Sequence, residues 1–222
     1  MNAVLTMYRT TIGKKVVMAV TGAVMVGWLL AHMLGNLQVF LGVEVFNHYA
    51  ELIQSQKELL WIMRAGMLTM LVLHIWSIVA LATAGSAARK NAYAGGRQTQ
   101  ASNLATRSMR IGGLVLVLFL VWHLADLTIG VPAVNPAFEH GAAYANLVGS
   151  LQRPLVAGLY ILANLALGAH IYHGVFSVFQ TLGINQHDHT ETARQLSIAL
   201  AALIAGGNIA IALSIVTRIV GG

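Results

Sequence analysis

The chain has 222 residues, of which 57% are hydrophobic and only 9% charged, with a formal net charge of +6; a soluble domain carries about a quarter charged residues. A mean hydropathy of +0.72 with long uncharged runs excludes a soluble fold and predicts an all-α membrane protein. The absence of cysteine excludes disulfides, a thiolate nucleophile and iron–sulfur ligands on this chain, and the basic excess reads as charge held on the cytoplasmic side of a membrane, with no nucleic-acid partner.

Five transmembrane helices are predicted in one domain, 1–222, at about 16–41, 61–85, 111–130, 155–181 and 196–219, each near the ~20 residues that cross a hydrocarbon core. The first follows Lys14 and Lys15 and is too long for a signal-peptide core. Residues 43–60 have no Gly or Pro and predict an amphipathic helix on the outer surface, open to running on into the second span. Residues 86–106 are polar and rich in small residues, the pattern of a flexible cytoplasmic loop. Residues 131–152, begun by Pro132 and Pro136, read as a long outer loop. Pro154 opens the fourth span, where its missing N–H does no harm. In the fifth span Ala202, Gly206, Ala210 and Ser214 repeat every four residues, which predicts a packing stripe.

The connecting charges set the orientation. Arg9, Lys14, Lys15, Arg89, Lys90, Arg97, Arg107, Arg110 and Arg194 make nine of the thirteen basic residues and share one side, which the positive-inside rule makes cytoplasmic. Glu44, Glu51, Glu58, Asp126 and Glu139, five of the seven acids, share the other. The N-terminus is therefore expected inside and the C-terminus outside.

Each of the first four spans carries one deep histidine: His32, His74, His123 and His170. A titratable ring in lipid is costly, so it faces the bundle interior and has a partner. One in each of four successive spans predicts two pairs of axial ligands and two b haems, held in a four-helix bundle with a fifth helix beside it. The outward-running spans place His32 and His123 past their midpoints. The inward-running spans place His74 near the middle and His170 slightly past it. Depth thus pairs His32 with His123 at an outer haem and His74 with His170 at an inner one. Ala163, Ala166, Gly174, Ser177 and Thr181 share the stripe of His170, leaving room for a flat macrocycle or for helix packing. His173, one turn beyond, is either the ligand itself or a partner for a propionate or quinone.

Arg64, Arg110 and Arg153 stand at span ends, where a guanidinium either pairs with a haem propionate or anchors the helix at the interface. Asp126, three residues past His123, either moves protons to a quinone, meets a propionate or marks the membrane edge. His48 and His140 read as surface residues. His187, Asp188 and His189 read as a solvated loop rather than a metal site.

The segments GKKVVMAVTGAVMVGWLLAHMLGNLQVF, GVEVFNHYAELI and HIYHGVFSVFQTLG closely resemble the dihaem cytochrome b membrane anchor of succinate dehydrogenases and fumarate reductases, of the single-chain, five-span bacterial kind. The resemblance is weakest over 86–106 and 131–152. It implies haem ligation by His32, His74, His123 and His170, with the first span paired to the third and the second to the fourth, and it favours His170 over His173 as the ligand. It also implies a flavoprotein with covalent FAD and an iron–sulfur protein docked on the cytoplasmic face, and a place in the bacterial cell (inner) membrane. The chain would not act on succinate itself. It would pass electrons between the iron–sulfur subunit and a quinone, menaquinone in related anchors, and help form the quinone site. Glu44, Glu51, Glu58 and Asp126 are the carboxylates expected to serve quinone protons near the outer side; a site near His173 and Gln180 is a second reading. The direction of the reaction and any higher oligomer of the complex stay open. Another dihaem cytochrome, such as the hydrogenase type, a histidine-relay transporter without haem, and a haemless tether are the competing readings.

Overall fold

The computed structural model describes residues 10–87, 104–183 and 190–222. Among these all the regular secondary structure is helical, with no strand. Helix α1 (Thr11–Asn36) opens on Thr10, whose side-chain oxygen accepts the Gly13 N–H at 3.0 Å, satisfying one of the free donors of the first turn. It continues as a 3-10 turn over Leu37–Leu41, stopped by Gly42 at φ +98. Helix α2 spans Val43–Ser55 and α3 spans Lys57–Ala87. They are separate helices: Gln56, at ψ 62, leaves the helical region and breaks the continuous run that the absence of Gly and Pro allowed. Helix α4 (Leu104–Leu124) widens into a π turn over Ala125–Ile129, closed by Gly130 at φ +69. Helix α5 covers Ala143–Leu151, α6 Pro154–Thr181 and α7 Thr190–Val216.

Five of these elements are long and apolar enough to cross a membrane: Thr11–Leu41, Lys57–Gly85, Met109–Ile129, Pro154–Thr181 and Thr190–Val216. The first and last begin five and six residues before their expected starts, and the last ends before Arg218, which sits at φ +61.

Two expectations are corrected. The outer segment 131–152 is not all loop, because α5 lies within it and buries Asn146, Leu147, Val148, Ser150 and Leu151. Nine residues between glycine and proline are too few for a helical period to show. In α7 the stripe splits, with Ala202, Gly206 and Ala210 exposed and Ser214 buried, and the packed edge is Ser197, Ala201, Ile204, Ala205, Ile211, Ala212, Ser214 and Ile215. At 3.6 residues per turn a step of four drifts by about 40°, so a four-residue repeat does not keep to one face, and this one enters the interface only at Ser214. Of the segment 86–106, residues 88–103 lie outside the described residues, as do Arg9, His187, Asp188 and His189.

Helix α6 is the hub. It runs against α7, α4 and α1, while α3 packs mainly on α1. Gly168 of α6 allows the closest approach to α7, with a methyl there lying 3.1 Å from Ala205 Cβ. The larger apolar cluster lies at the outer end, where Val39, Phe46, Leu147, Val148, Leu151, Val156, Tyr160, Ile211, Ala212 and Ile215 meet, and a smaller one of Ile171, Ala201 and Ile204 joins α6 to α7. Asn47 ties α2 to α5 by accepting the Tyr144 N–H at 2.9 Å. Asn146 clamps the preceding loop, accepting from Glu139 N–H and donating to Glu139 O.

Gly35 is required by Tyr49: a methyl there would lie 2.5 Å from the phenol oxygen and 2.9–3.0 Å from the ring. Gly35→Ala is expected to cost about 1–3 kcal/mol, as overpacking does, read as a lower unfolding temperature in detergent.

Candidate haem-ligand site

The four deep histidines fall at two levels of one bundle. At the outer level His32 of α1 faces His123 of α4, with ring centroids 5.9 Å apart and planes at 88°. An imidazole nitrogen binds a transition metal at about 2 Å, so two rings on one iron have centres about 6 Å apart. The pair therefore has the separation that axial ligation needs. Trp28 stacks on His32 at 4.8 Å. His32 Nε2 accepts the Asn36 amide at 3.1 Å, so its lone pair is on that nitrogen, and Asn36 would have to turn aside for a metal.

At the inner level His74 of α3 donates from Nδ1 to Met18 O at 3.1 Å, with Thr21 Oγ1 at the same distance. That hydroxyl gives its own proton to Val17 O at 2.7 Å. The arrangement fixes the tautomer and leaves Nε2 free, as in metal-ligating histidines. His170 of α6 lies within electrostatic range of both His74 and His173, and its Nδ1 is buried without a hydrogen-bond partner. A cavity of about 350 Å³ opens between α4 and α6, lined by Met109, Ile111, Gly112, Ala166, Ala169, His170 and His173. Ala166 is thus the stripe residue that borders space beside His170, and Gly174 has open space where a Cβ would be.

Two glycines face the inner rings. A methyl at Gly22 would lie 3.3 Å from His74 Cε1, and one at Gly113 3.7 Å from His170 Cε1. Both stand ten residues before an outer-level histidine, Gly22 before His32 and Gly113 before His123. Ten residues of helix are about 15 Å, so the two levels are separated by about that distance on both outward helices. The repeated spacing Gly-x9-His was legible in the sequence and went unread.

These donors fit haem. Among the described residues no three His, Cys, Asp or Glu converge as a metal site, but a porphyrin supplies four nitrogens and asks two from the protein. Each level offers two imidazoles, and at the inner level Gly22 and Gly113 stand beside them.

The remaining candidates scatter. Glu44, Glu51 and Glu58 are exposed on α2 and at the start of α3. Arg64 is exposed over the Trp61 ring, 5.3 Å from its centroid, and Arg110 is exposed near the start of α4. His173 sits beside Tyr172 on the cavity wall. His48 and His140 are exposed.

Asp126 stands apart from the surface position its place near the span end suggested: it is 0% exposed. The π turn carries it inward, where it accepts from Ser150 Oγ at 2.6 and 2.8 Å, from the Tyr160 hydroxyl at 2.8 Å and from Arg153 at 3.4 Å. Arg153 also donates to Val134 O at 2.6 Å and to Ser150. Its guanidinium is thus engaged by the protein. Tyr160 and Ser150 were not expected, because nothing local marks a hydroxyl 34 or 24 residues away as the partner of a buried acid.

The fold and the site define a multi-pass helical membrane protein with paired interior histidines. The chain belongs to the succinate dehydrogenase/fumarate reductase transmembrane subunit family, whose model matches residues 97–209. The matched stretch carries His123 and His170, and the family makes the chain a membrane subunit of that complex. Comparisons with curated proteins and with solved structures return no match.

Proposed function

We propose that the chain, as a single cytochrome b domain over 1–222, carries electrons through two b haems between the iron–sulfur subunit of a succinate:quinone oxidoreductase and a quinone, menaquinone by resemblance. The observation that carries this reading is the His32–His123 pair, 5.9 Å apart in the interior of the bundle. His32 and His123 hold the outer haem, and His74 and His170 the inner one. Bound haem supplies reversible one-electron chemistry at a potential the protein tunes.

The residues on each side of the metal do different work. The Met18 carbonyl orients His74, and Gly22 and Gly113 keep the space beside the inner rings clear of side chains. His173, which borders the inner cavity, and Arg64 and Arg110, exposed near the starts of their helices, are the residues proposed for haem propionates; Arg153, in the same group by sequence, is tied to Asp126 and Val134 instead. The positive-inside rule favours a cytoplasmic N-terminus, in a bacterial cell by resemblance, on the side where the flavoprotein, carrying FAD, and the iron–sulfur subunit dock.

Haem quantitation with a reduced-minus-oxidised spectrum of the purified complex tests the reading. Two haems per chain are expected; a colourless complex or one haem per chain overturns it. The exposed carboxylates Glu44, Glu51 and Glu58 are the proton donors proposed for quinone at the outer side. Glu51→Gln and Glu58→Gln together are expected to slow quinone turnover about tenfold or more, within the usual contribution of acid–base groups, with haem content unchanged. Full turnover in that double variant removes these two carboxylates from the quinone site.

A further inference from the structure

Beside the outer histidine pair lies a buried polar chain that ligation itself does not require. Tyr160 of α6 stands between His123 and Asp126. Its hydroxyl is 2.8 Å from Asp126 Oδ2 and 3.3 Å from His123 Nδ1. The phenol has one proton, and the carboxylate is an acceptor only, so the short contact holds that proton. The phenol oxygen is then the acceptor for His123 Nδ1–H. The direction of the chain is fixed: His123 donates to Tyr160, Tyr160 donates to Asp126, and Ser150 and Arg153 donate to the same carboxylate. Phe119 packs edge-on against Tyr160 with centroids 5.0 Å apart, holding the phenol in place.

We propose that Tyr160 is a positioning residue for His123, relaying the negative charge of Asp126 to the imidazole and so lowering the midpoint potential of the iron bound at Nε2. The inference rests on the haem reading above and deepens it. A ligating imidazole whose outer N–H faces an anion-backed acceptor gains basicity and electron density, which favours the ferric state. Among the described residues the inner level lacks such a device, since His74 Nδ1 faces a neutral backbone carbonyl and His170 Nδ1 has no hydrogen-bond partner. The π turn is the local feature that makes the relay possible. It brings Asp126, three residues past His123, to the same phenol that His123 meets.

Redox titration of the purified complex, with the two haems resolved optically, decides it. Tyr160→Phe is expected to retain both haems and to raise the potential of one, by about tenfold in ferrous preference, which is about 59 mV for a one-electron couple. Asp126→Asn is expected to move the same haem in the same direction, because Tyr160 then donates to a neutral carbonyl. Thr21→Val, at the inner level, should leave that haem where it was. Two bound haems with unmoved potentials in Tyr160→Phe overturn the relay, and so does an equal shift of both haems. Should Tyr160→Phe fail to assemble, Asp126→Asn carries the same test, and unmoved potentials there overturn it equally. A wild-type complex without haem fails the reading beneath instead, so the two failures are distinct.

Discussion

Alanine at His32 or His123 is expected to strip one haem from the complex, and alanine at His74 or His170 to strip the other, leaving one of two per chain in each case. The two pairs stand about 15 Å apart along the helices, farther than one iron's ligands can reach, so loss at one level should spare the other. Within a pair the loss should be the same whichever partner is removed, because a bis-imidazole site has no third protein ligand to stand in. His173 is the exception to test: it borders the same cavity as His170, and His170→Ala that keeps both haems would assign the ligand to His173. Haem quantitation and the spectrum of the remaining haem read the result. If all four variants keep both haems, the ligand assignment falls.

Asp126→Ala is expected to destabilise the folded chain by about 3 kcal/mol or more. The carboxylate is fully enclosed and serves Ser150, Tyr160 and Arg153 at once. Removing one member of a buried charge pair costs about 3–5 kcal/mol, and each buried hydroxyl left without its acceptor adds about 1–3 kcal/mol. Arg153 is 36% exposed on its side chain and recovers part of its loss in water, which keeps the expected value at the lower end. Asp126→Asn preserves shape and one acceptor and should cost less. Thermal unfolding in detergent measures both, and an Asp126→Ala melt equal to wild type would show that the network holds nothing together.

The membrane spans and the four histidines were legible because lipid makes both conspicuous: apolar length is obligatory, and a ring that can charge is costly. The start of α6 followed from Pro154, a residue with a strong positional preference, whereas α4 begins at Leu104, six residues before Arg110. What escaped was tertiary. Asp126 was visible as an acid in an apolar run, but its inward turn depends on a π distortion that no residue type announces. Helix α5 escaped because AYANLVGSL is too short to show a period. In α7 the chosen stripe had regular spacing at the wrong period, and Ala202 and Gly206 face outward while Ile204 and Ala205 pack. The sequence resemblance named the ligands without the residues beside them, Met18, Thr21, Gly22 and Gly113.

The core at the outer end, with Asn47, Asn146 and the Asp126 network around it, makes the bundle a pair of tongs riveted at one tip. Opening at the riveted tip must break many contacts together, whereas beyond it the only other apolar cluster among the described residues is the smaller one of Ile171, Ala201 and Ile204, so the other tip parts more cheaply. A rigid disc gripped between the free jaws would therefore add more cohesion than one gripped beside the rivet. Amide exchange along the inner halves of α3 and α4 is where the grip would be felt.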